Sequence, residues 1–326
     1  MSEPLRVAVA GASGIGKHHA KWFAASGCEV VAFCGSSETT ARATASVLAD
    51  LFGFRGRAYS DLSQMVVQEC PDILDVSTPN ALHFECAMGG LQNGCHVLCE
   101  KPLVWGSDIS TMLAQAEQLV REARERDLLF AVCTQYATAL PLYHSLPTAT
   151  AASPPTKAAD IAQFHAEMET MARGRLRAAR DVWIDMAPHP LSLLLSWLPQ
   201  GQIREQSLEV RFEGAEASAK FEFQHPAGCC SADIVVRDRP GGTLVRRFGV
   251  NGHLVECSGQ AGPTGEYESV LRRGSVERRG QDFMSLLIQQ FVDAARDRKL
   301  ELPTANHAAL SNLRLQLQIM EAARES

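Results

Sequence analysis

The chain has 326 residues, 46% of them hydrophobic, which suits two domains that each have their own core. Its formal net charge is −6 at pH 7, and the scattered lysines and arginines form no basic stripe, which argues against nucleic acid as a partner. No apolar run reaches the ~20 residues of a membrane helix and MSEPLR lacks the core of a signal peptide, so we expect no membrane partner and a cytoplasmic protein.

The first part of the chain alternates short β-rich runs with longer helical patterns. The clearest helix is predicted from about Asp108 to Arg126. This alternation is typical of a mostly parallel sheet wound with helices on both faces, and predicts a dinucleotide-binding domain in residues 1–135. The predicted strands are LRVAVA (5–10), EVVAF (29–33), RAY (57–59), DILDVST (72–78), HVLCE (96–100) and LLFAVCTQ (128–135).

The second part begins after a Pro-, Ala- and Thr-rich segment at 145–160, a predicted interdomain loop. It carries alternating runs that favour a mainly antiparallel sheet with one covered face, interrupted by a helix starting near Asp185. Helices are predicted again at 283–298 and 308–324. Residues 136–326 are therefore predicted to form an α+β domain, with a last helix able to pack back on the first. The predicted strands are IAQFHAEMET, LEVRFEG, SAKFEFQ, ADIVVRD, TLVRRFGV and HLVECSG.

The stretch GASGIGKHHA, residues 11–20, follows the first predicted strand. Aligned on Gly11 it is a G-x-G-x-x-G fingerprint with Ser13 at the second glycine, and aligned on Gly14 it reads G-x-x-G-x-G. Either pattern would present backbone N–H groups and a helix start to a pyrophosphate. The loop alone does not decide between the two.

Polar residues at the ends of other predicted strands extend this candidate site, because the carboxyl ends of parallel strands share one edge. Where an NAD-binding fold usually has an acidic residue, the second strand is followed by Ser36 and Ser37, with Arg42 about one helical turn on. This favours NADP over NAD, although both serines could simply cap a helix. Lys101 follows the fifth strand, where a partly desolvated ammonium could donate a proton or hydrogen bond to a substrate oxygen.

In the second part, WIDMAPHPLSLLLSWL places Asp185 and His189 four residues apart, on one face if the stretch is helical. A histidine with a carboxylate one turn away is a candidate general acid/base pair. His165, Glu167 and Glu169 alternate along one predicted strand, which is typical of a solvated face. We predict no metal site and, from ten scattered cysteines without a C-x-x-C pair, no disulfide framework.

Three blocks together resemble the Gfo/Idh/MocA oxidoreductases, the family of glucose-fructose oxidoreductase and inositol dehydrogenase. They are AVAGASGIGKHHA, DILDVSTPNALHFECAMGGLQNGCHVLCEKPL and DMAPH. The family loop reads G-x-G-x-I-G with a histidine three residues on, so the resemblance favours the alignment on Gly11, Gly16 and His19. The alignment on Gly14 would require the Tyr-x-x-x-Lys pair of short-chain dehydrogenases, which the chain lacks.

The resemblance implies a Rossmann domain followed by an open-faced sheet domain, through which such proteins commonly form homodimers or homotetramers. It implies that Lys101 is the central catalytic residue, with Asp185 and His189 as its partners. Tyr136, Arg180 and Trp183 are predicted to contact the substrate. The resemblance and the residues after the second strand together predict the cofactor contacts, which are Gly11, Ser13, Gly14, Ile15, Gly16, Ser36, Ser37, Arg42, Thr78, Pro79, Asn80, His83, Glu100 and Lys101.

The surroundings of the D-x-x-x-H pair depart from the family pattern. Ala187 replaces a glycine, and Ser192 stands where the polyol dehydrogenases often have an aspartate, which argues against an inositol-like substrate. The predicted function is an NADP- or NAD-dependent oxidoreductase that interconverts a secondary alcohol and a ketone on a sugar, polyol or related metabolite. The alternative is a non-catalytic NAD(P)-binding sensor of the same fold.

Overall fold

The computed structural model describes residues 3–147, 154–262 and 266–325, so the predicted loop at 145–160 lies partly outside the described residues. The chain divides into two compact units. The first unit is Met1–Cys133 with Met284–Leu310, and the second is Thr134–Phe283 with Ser311–Ser326. Among the residues described, no helix is long and apolar enough to span a membrane.

The first unit is built on a parallel sheet in the order β3-β2-β1-β4-β5-β6. The strand order reverses between β1 and β4, and ligands of such folds bind outside the carboxyl ends of the strands at this reversal. The predicted doubly wound parallel sheet is confirmed. Its strands are β1 (Arg6–Ala10), β2 (Glu29–Cys34), β3 (Arg57–Tyr59), β4 (Ile73–Val76), β5 (His96–Cys99) and β6 (Phe130–Val132).

Helices flank this sheet and recur in the second unit. Local signals set several of their ends: Ser37 caps α2, which ends at left-handed Gly53, and Asp108 caps α5. The helices are α1 (Gly16–Ala25), α2 (Glu38–Phe52), α3 (Leu62–Glu69), α4 (His83–Gln92), α5 (Ile109–Glu125), α6 (Leu140–His144), α7 (Ala179–Met186), α8 (Pro188–Trp197), α9 (Phe283–Arg296) and α10 (His307–Glu325).

The core of the first unit joins the sheet to the helices on one face. Val7 and Phe33 of the strands pack in one buried cluster with Phe23 of α1 and with Leu287 and Phe291 of α9. Because α9 comes from the end of the sequence, the C-terminal part of the chain completes the core that the N-terminal strands begin.

The second unit contains a nine-stranded sheet in the order β15-β14-β13-β12-β7-β11-β10-β8, with β9 also paired to β10. Among the strands that the structure describes in this sheet, only β7 and β11 pair in parallel, so the predicted mainly antiparallel sheet is confirmed. The strands are β7 (Gln163–Met171), β8 (Gln202–Ile203), β9 (Glu209–Glu213), β10 (Glu216–His225), β11 (Gly228–Arg239), β12 (Arg246–Val250), β13 (Val255–Ala261), β14 (Tyr267–Arg273) and β15 (Val276–Gln281).

The helix predicted to start near Asp185 is in fact two helices. The first, α7, already begins at Ala179, and α8 follows after Ala187. Pro188 has no N–H to donate to the carbonyl of Ile184, and the side-chain amide of Gln316 donates to that carbonyl instead, at 2.9 Å. Asp185 and His189 therefore lie on successive helices and not on one uninterrupted helix.

Candidate functional site

The glycine loop packs tightly against Ser77, the first residue after β4. Gly11 has a φ of +90°, and a Cβ there would lie 2.5 Å from the carbonyl oxygen of Ser77. A Cβ on Gly16 would lie 2.4 Å from the carbonyl oxygen of Gly11. Helix α1 begins after Ile15 without a side-chain cap, so its first N–H groups can bind an anion. Glycines are thus required where the prediction places them.

The tip of the loop is Ser13, Gly14 and Ile15, and all three are exposed. Gly14 differs from its two flanking glycines because a Cβ there would meet nothing within 4 Å. The alignment on Gly11 and Gly16 therefore agrees with the packing of the loop, whereas Gly14 imposes no steric requirement.

The residues predicted to choose between NAD and NADP cluster at the start of α2. Ser37 accepts a hydrogen bond from the Thr40 backbone N–H at 3.2 Å and caps the helix. Ser36 lies 3.2 Å from the Thr40 hydroxyl. The Arg42 side chain is 78% exposed and forms an ion pair with Glu38 at 3.5 Å. Capping by Ser37 is thus observed, and the exposed guanidinium of Arg42 is held only by a surface pair.

The loop after β4 carries Thr78, Pro79 and Asn80, of which Pro79 and Asn80 are exposed. His83 is fully buried below it. Its ring nitrogens lie 2.8 Å from the Pro102 carbonyl oxygen and 3.0 Å from that of Thr78. Because both nitrogens face backbone oxygens, His83 ties two loops together and has no ring nitrogen left for a cofactor.

A buried charge network connects α1 with two strand ends. His19 Nδ1 lies 2.9 Å from Asp75 Oδ1, and its Nε2 lies 3.4 Å from Glu100 Oε1. Ser77 donates to Asp75 Oδ2 at 2.7 Å. Neither His19 nor Asp75 has exposed surface. We call the group His19, Asp75, Ser77 and Glu100 the buried charge network.

Electrostatics within this network oppose the cost of burial. Burial alone would lower the pKa of His19, but the charges of and hydrogen bonds with Asp75 and Glu100 raise it to about 10. Burial would likewise raise the pKa of Glu100, but His19 and Lys101 together lower it. His19 is therefore a cation and Glu100 a carboxylate at neutral pH.

Cys133 is the remaining reactive group beside the network. Its sulfur, a His19 nitrogen and a Glu100 oxygen all lie within 4.8 Å of one another. Burial keeps the pKa of the Cys133 thiol well above its usual range. Because a metal would require both the thiol and the imidazolium to lose a proton, we assign no metal to this trio.

Glu100, Lys101 and Pro102 form the turn after β5. Glu100 Oε2 accepts a hydrogen bond from the Lys101 backbone N–H at 3.0 Å, and the Lys101–Pro102 peptide is cis. The Lys101 side chain is partly buried. The carboxylate that pairs with His19 thus also fixes the backbone that presents the lysine.

In the second unit, Asp185 is held by an arginine that the sequence analysis did not single out. Arg177 Nη1 donates to Asp185 Oδ2 at 2.9 Å. The same guanidinium pairs with Asp238, whose side chain has no exposed surface, at 3.4 Å. Both carboxylates raise the pKa of Arg177 against the opposing effect of burial. Because Arg177 is held by the buried carboxylate of Asp238, it can fix the orientation of the Asp185 carboxylate.

His189 and Tyr136 lie together in the second unit. Their ring centroids are 5.3 Å apart in an edge-on arrangement, and both residues are buried. Tyr136 packs in turn on Phe248, with ring centroids 6.3 Å apart. The predicted acid/base histidine thus has the predicted substrate residue Tyr136 as an aromatic neighbour.

The other two predicted substrate residues lie elsewhere in this unit. Trp183 is fully buried, and its indole N–H donates to the Gln316 carbonyl oxygen at 3.2 Å, so it packs the core and offers no surface to a substrate. Arg180 borders a cavity of about 320 Å³ together with Phe212 and Met320. The burial of Trp183 thus argues against a substrate contact, whereas that of Arg180 stays a prediction.

The predicted residues of the first unit are thus brought together through contacts that single motifs do not reveal. Gly11 and Gly16 meet Ser77, which bonds Asp75, and His19 reaches Glu100. Asp75 lies in the fourth predicted strand (72–78), where the sequence motifs assign it no role. A charged residue inside an otherwise apolar strand was the available signal, because a buried carboxylate requires a partner.

Comparison with known proteins agrees with this arrangement. Residues 5–134 match the sequence profile of GFO_IDH_MocA, described as an oxidoreductase family with an NAD-binding Rossmann fold. This part of the chain therefore matches the Gfo/Idh/MocA oxidoreductase family. The profile covers the glycine loop, the buried charge network and the Glu100–Lys101–Pro102 turn, so the resemblance noted in the sequence is confirmed.

Individual relatives cover smaller parts of the chain. D-glucoside 3-dehydrogenase of Escherichia coli is 38% identical over 103 residues, which are 31% of this chain and 28% of that protein. The NADP(+)-dependent scyllo-inositol 2-dehydrogenase IolU of Bacillus subtilis is 49% identical over 45 residues, 14% of each chain. The matched segments thus span less than a third of these relatives.

A solved structure matches the fold over nearly the whole length. UDP-N-acetylglucosamine 3-dehydrogenase GnnA of Acidithiobacillus ferrooxidans has a TM-score of 0.71 at 20% identity, and the match covers 98% of both chains. At this identity the likeness establishes the fold of both units and not the activity.

Proposed function

We propose that the protein is an NAD(P)-dependent oxidoreductase that interconverts a secondary hydroxyl and a ketone on a sugar, polyol or related metabolite. The observation that carries the proposal lies within the first unit. There the uncapped start of α1 and the Glu100–Lys101–Pro102 turn are joined by the buried charge network. The dehydrogenases of sugars and inositol among the relatives support the same class of substrate.

The residues present fit a dinucleotide. Gly11 and Gly16 leave room where a Cβ would clash, and the N–H groups at the start of α1 suit a pyrophosphate. The ionised carboxylate of Glu100 is suited to accept a hydrogen bond from a ribose hydroxyl. When bound, the nicotinamide would supply hydride acceptance or donation at its ring.

The remaining chemistry is proton transfer and charge stabilisation. We propose that His189 takes the hydroxyl proton during oxidation and returns it during reduction. Lys101 would stabilise the oxygen as negative charge develops on it, or share in the proton transfer. Asp185, oriented by Arg177, would hold the substrate or the histidine.

The test is nicotinamide absorbance across a panel of polyols, sugars and keto-sugars, with NADP and NAD. Lys101→Ala should lose at least ~100-fold in kcat while the cofactor Kd stays within about threefold. Lys299→Ala, an exposed lysine outside the candidate site, is the matched control and should retain parental turnover. Full activity of Lys101→Ala would overturn the mechanism, and cofactor binding with no turnover on any substrate would favour the sensor.

For the cofactor, we propose NADP over NAD. No acidic side chain stands at positions 35–37 after β2, so a 2′-phosphate would meet the hydroxyls of Ser36 and Ser37, and the first carboxylate along the chain, that of Glu38, is paired with Arg42. Arg42 is exposed and close enough in sequence to pair with that phosphate. Equal Kd values for NADPH and NADH would contradict this preference.

For the assembly, we propose a homodimer or homotetramer formed through the nine-stranded sheet. One face of that sheet carries partly exposed ion pairs, such as Arg237 with Glu167 and Arg247 with Glu256 at 3.3 Å. Light scattering in solution tests this, and a monomer at micromolar concentration would contradict it. Cytoplasmic location stays a prediction.

A further inference from the structure

Arg246 points to the face of the second sheet that packs against Tyr136, the aromatic neighbour of His189. Arg246 and Phe248 are two residues apart on β12, so they point to the same face, whereas Arg247 between them points to the other. The Phe248 ring is 6.3 Å from that of Tyr136, which in turn is 5.3 Å from that of His189. A guanidinium group is therefore placed beside Tyr136 in the second unit.

Among the residues described, this guanidinium interacts with the Tyr136 hydroxyl but forms no ion pair with a carboxylate. Its Nε is buried and has no hydrogen-bond acceptor, and no carboxylate lies within 4.0 Å. The neighbouring Arg247, by contrast, pairs with Glu256 at 3.3 Å and with Glu167 at 3.9 Å.

The polar groups around Arg246 do not supply a negative charge. Burial raises the pKa of the Tyr136 phenol far above its usual range, and it raises that of the Cys257 thiol to about 12. Both groups are therefore neutral at physiological pH. Tyr267 also faces Arg246 and is largely exposed, and the charge of Asp282 adds to the raised pKa of both Tyr136 and Cys257.

A half-buried arginine without a counterion destabilises the protein, because no ion pair offsets the free energy lost when the charge is removed from water. The best partner for a planar guanidinium is a carboxylate or a phosphate, because it can bind either through two parallel hydrogen bonds. We propose that Arg246 binds an anionic group, a carboxylate or a phosphate, carried by the sugar substrate. This inference rests on the proposed function for the existence of a sugar substrate, and it narrows that substrate to an acidic one.

The experiment compares neutral and charged sugars of matched size. Glucose, glucuronate, glucose 6-phosphate and a UDP-sugar are tested as substrates of the parent, Arg246→Gln and Arg246→Lys proteins. Arg246→Gln should raise KM for the preferred charged sugar by ~10- to 100-fold and change KM for glucose less than about twofold. Arg246→Lys should recover part of the loss, because it keeps the charge and loses the planar fork.

Arg211→Gln is the matched control, since Arg211 is an exposed arginine on β9 paired with Glu213. It should leave every KM near the parental value. Equal losses for glucose and the charged sugars in Arg246→Gln, or a parent protein that prefers glucose to all three acidic sugars, would overturn the proposal. The three acidic sugars separate a carboxylate from a phosphate and from a diphosphate.

A binding measurement separates this inference from the proposed function. Calorimetry with the same sugars needs no turnover, so it reports on Arg246 even if no hydride transfer is seen. Tight binding of an acidic sugar that is lost in Arg246→Gln would support the anion site and leave the oxidoreductase activity to its own test. No detectable binding of any acidic sugar, with turnover of neutral ones, would reject the anion site alone.

Discussion

In the first unit the imidazole of His19 lies between the carboxylates of Asp75 and Glu100, whereas in the second unit the guanidinium of Arg246 has no carboxylate partner among the described residues. Both side chains carry a positive charge that burial disfavours. The first is compensated by the protein and so fixes the shape of its surroundings. The second is compensated only if a ligand brings a negative charge. The charge of His19 thus stabilises the structure around it, whereas the charge of Arg246 is available to bind a ligand.

Removing the compensated cation gives the largest expected effect. His19→Gln leaves two carboxylates, Asp75 and Glu100, buried without their counterion, which should lower the free energy of unfolding by about 3–5 kcal/mol. Urea denaturation at pH 7 measures this. His18→Gln, an exposed neighbour on the same helix, is the control and should change stability by less than about 0.5 kcal/mol. Equal effects of the two variants would show that the network stabilises nothing.

The same cation predicts a pH dependence. The pKa of His19 is about 10 in the folded protein against 6.5 ordinarily, so folding favours the protonated ring. Its stabilisation is fully present below pH 6.5 and is lost as the pH rises towards 10. The difference in unfolding free energy between the parent and His19→Gln should therefore shrink across this range. A constant difference would mean that His19 is neutral when folded.

Substitution of Arg177 tests whether its ion pairs with Asp185 and Asp238 stabilise the second unit as the buried charge network stabilises the first. Arg177→Gln leaves the buried carboxylate of Asp238 without its cation, which should cost about 2–3 kcal/mol of stability. It should also lower kcat, because Asp185 loses its anchor, and Arg177→Lys should restore part of both. Arg175→Gln, exposed in the same loop, serves as the control. An unchanged kcat would remove Asp185 from the proposed chemistry.

Backbone requirements in the glycine loop are the next test. Gly11→Ala places a Cβ 2.5 Å from the Ser77 carbonyl oxygen at a φ of +90°, and should destabilise the protein by about 1–3 kcal/mol. Gly14→Ala meets nothing within 4 Å, so its stability should equal or exceed that of the parent by up to about 1 kcal/mol. Thermal unfolding compares the two variants, and similar melting temperatures would contradict the packing argument.

The smallest expected effect concerns the choice of cofactor. Arg42 is exposed and held only by a surface pair with Glu38, so its contribution to a 2′-phosphate is screened by solvent. Arg42→Gln should weaken NADPH binding by about threefold to tenfold and leave NADH unchanged. Fluorescence titration with both nucleotides measures the ratio. Equal weakening of both would place Arg42 at another part of the cofactor.

The parallel sheet could be predicted from the sequence because its strands, apart from the short β3, are apolar runs bounded by turn residues such as Gly27 and Pro71. The hairpin β14–β15 could not, since its runs YESVLRR and VERRGQ are charged and lack an apolar alternation. The break between α7 and α8 was signalled by Pro188, but the side chain that satisfies the released carbonyl, that of Gln316, comes from a distant part of the chain.

The site was predictable where its residues follow strands and less so where it depends on contacts distant in sequence. Lys101 and Glu100 were found from their position after β5. The partner of His19 is Asp75, 56 residues away, so their ion pair exists only in the fold. The lack of a carboxylate partner at Arg246 could not be predicted either, because the tertiary structure determines which side chains lie next to an arginine.

Transfer of deuterium from substrate to cofactor is the most direct test of the central claim. The sugar turned over fastest in the panel is prepared with deuterium on its reacting carbon and incubated with the parent protein and oxidised cofactor in ordinary water. The proposed hydride transfer predicts that mass spectrometry finds one deuterium in the reduced nicotinamide. Reduced cofactor without deuterium, or no reduction with any sugar, would contradict an oxidoreductase that transfers hydride between a sugar and a nicotinamide.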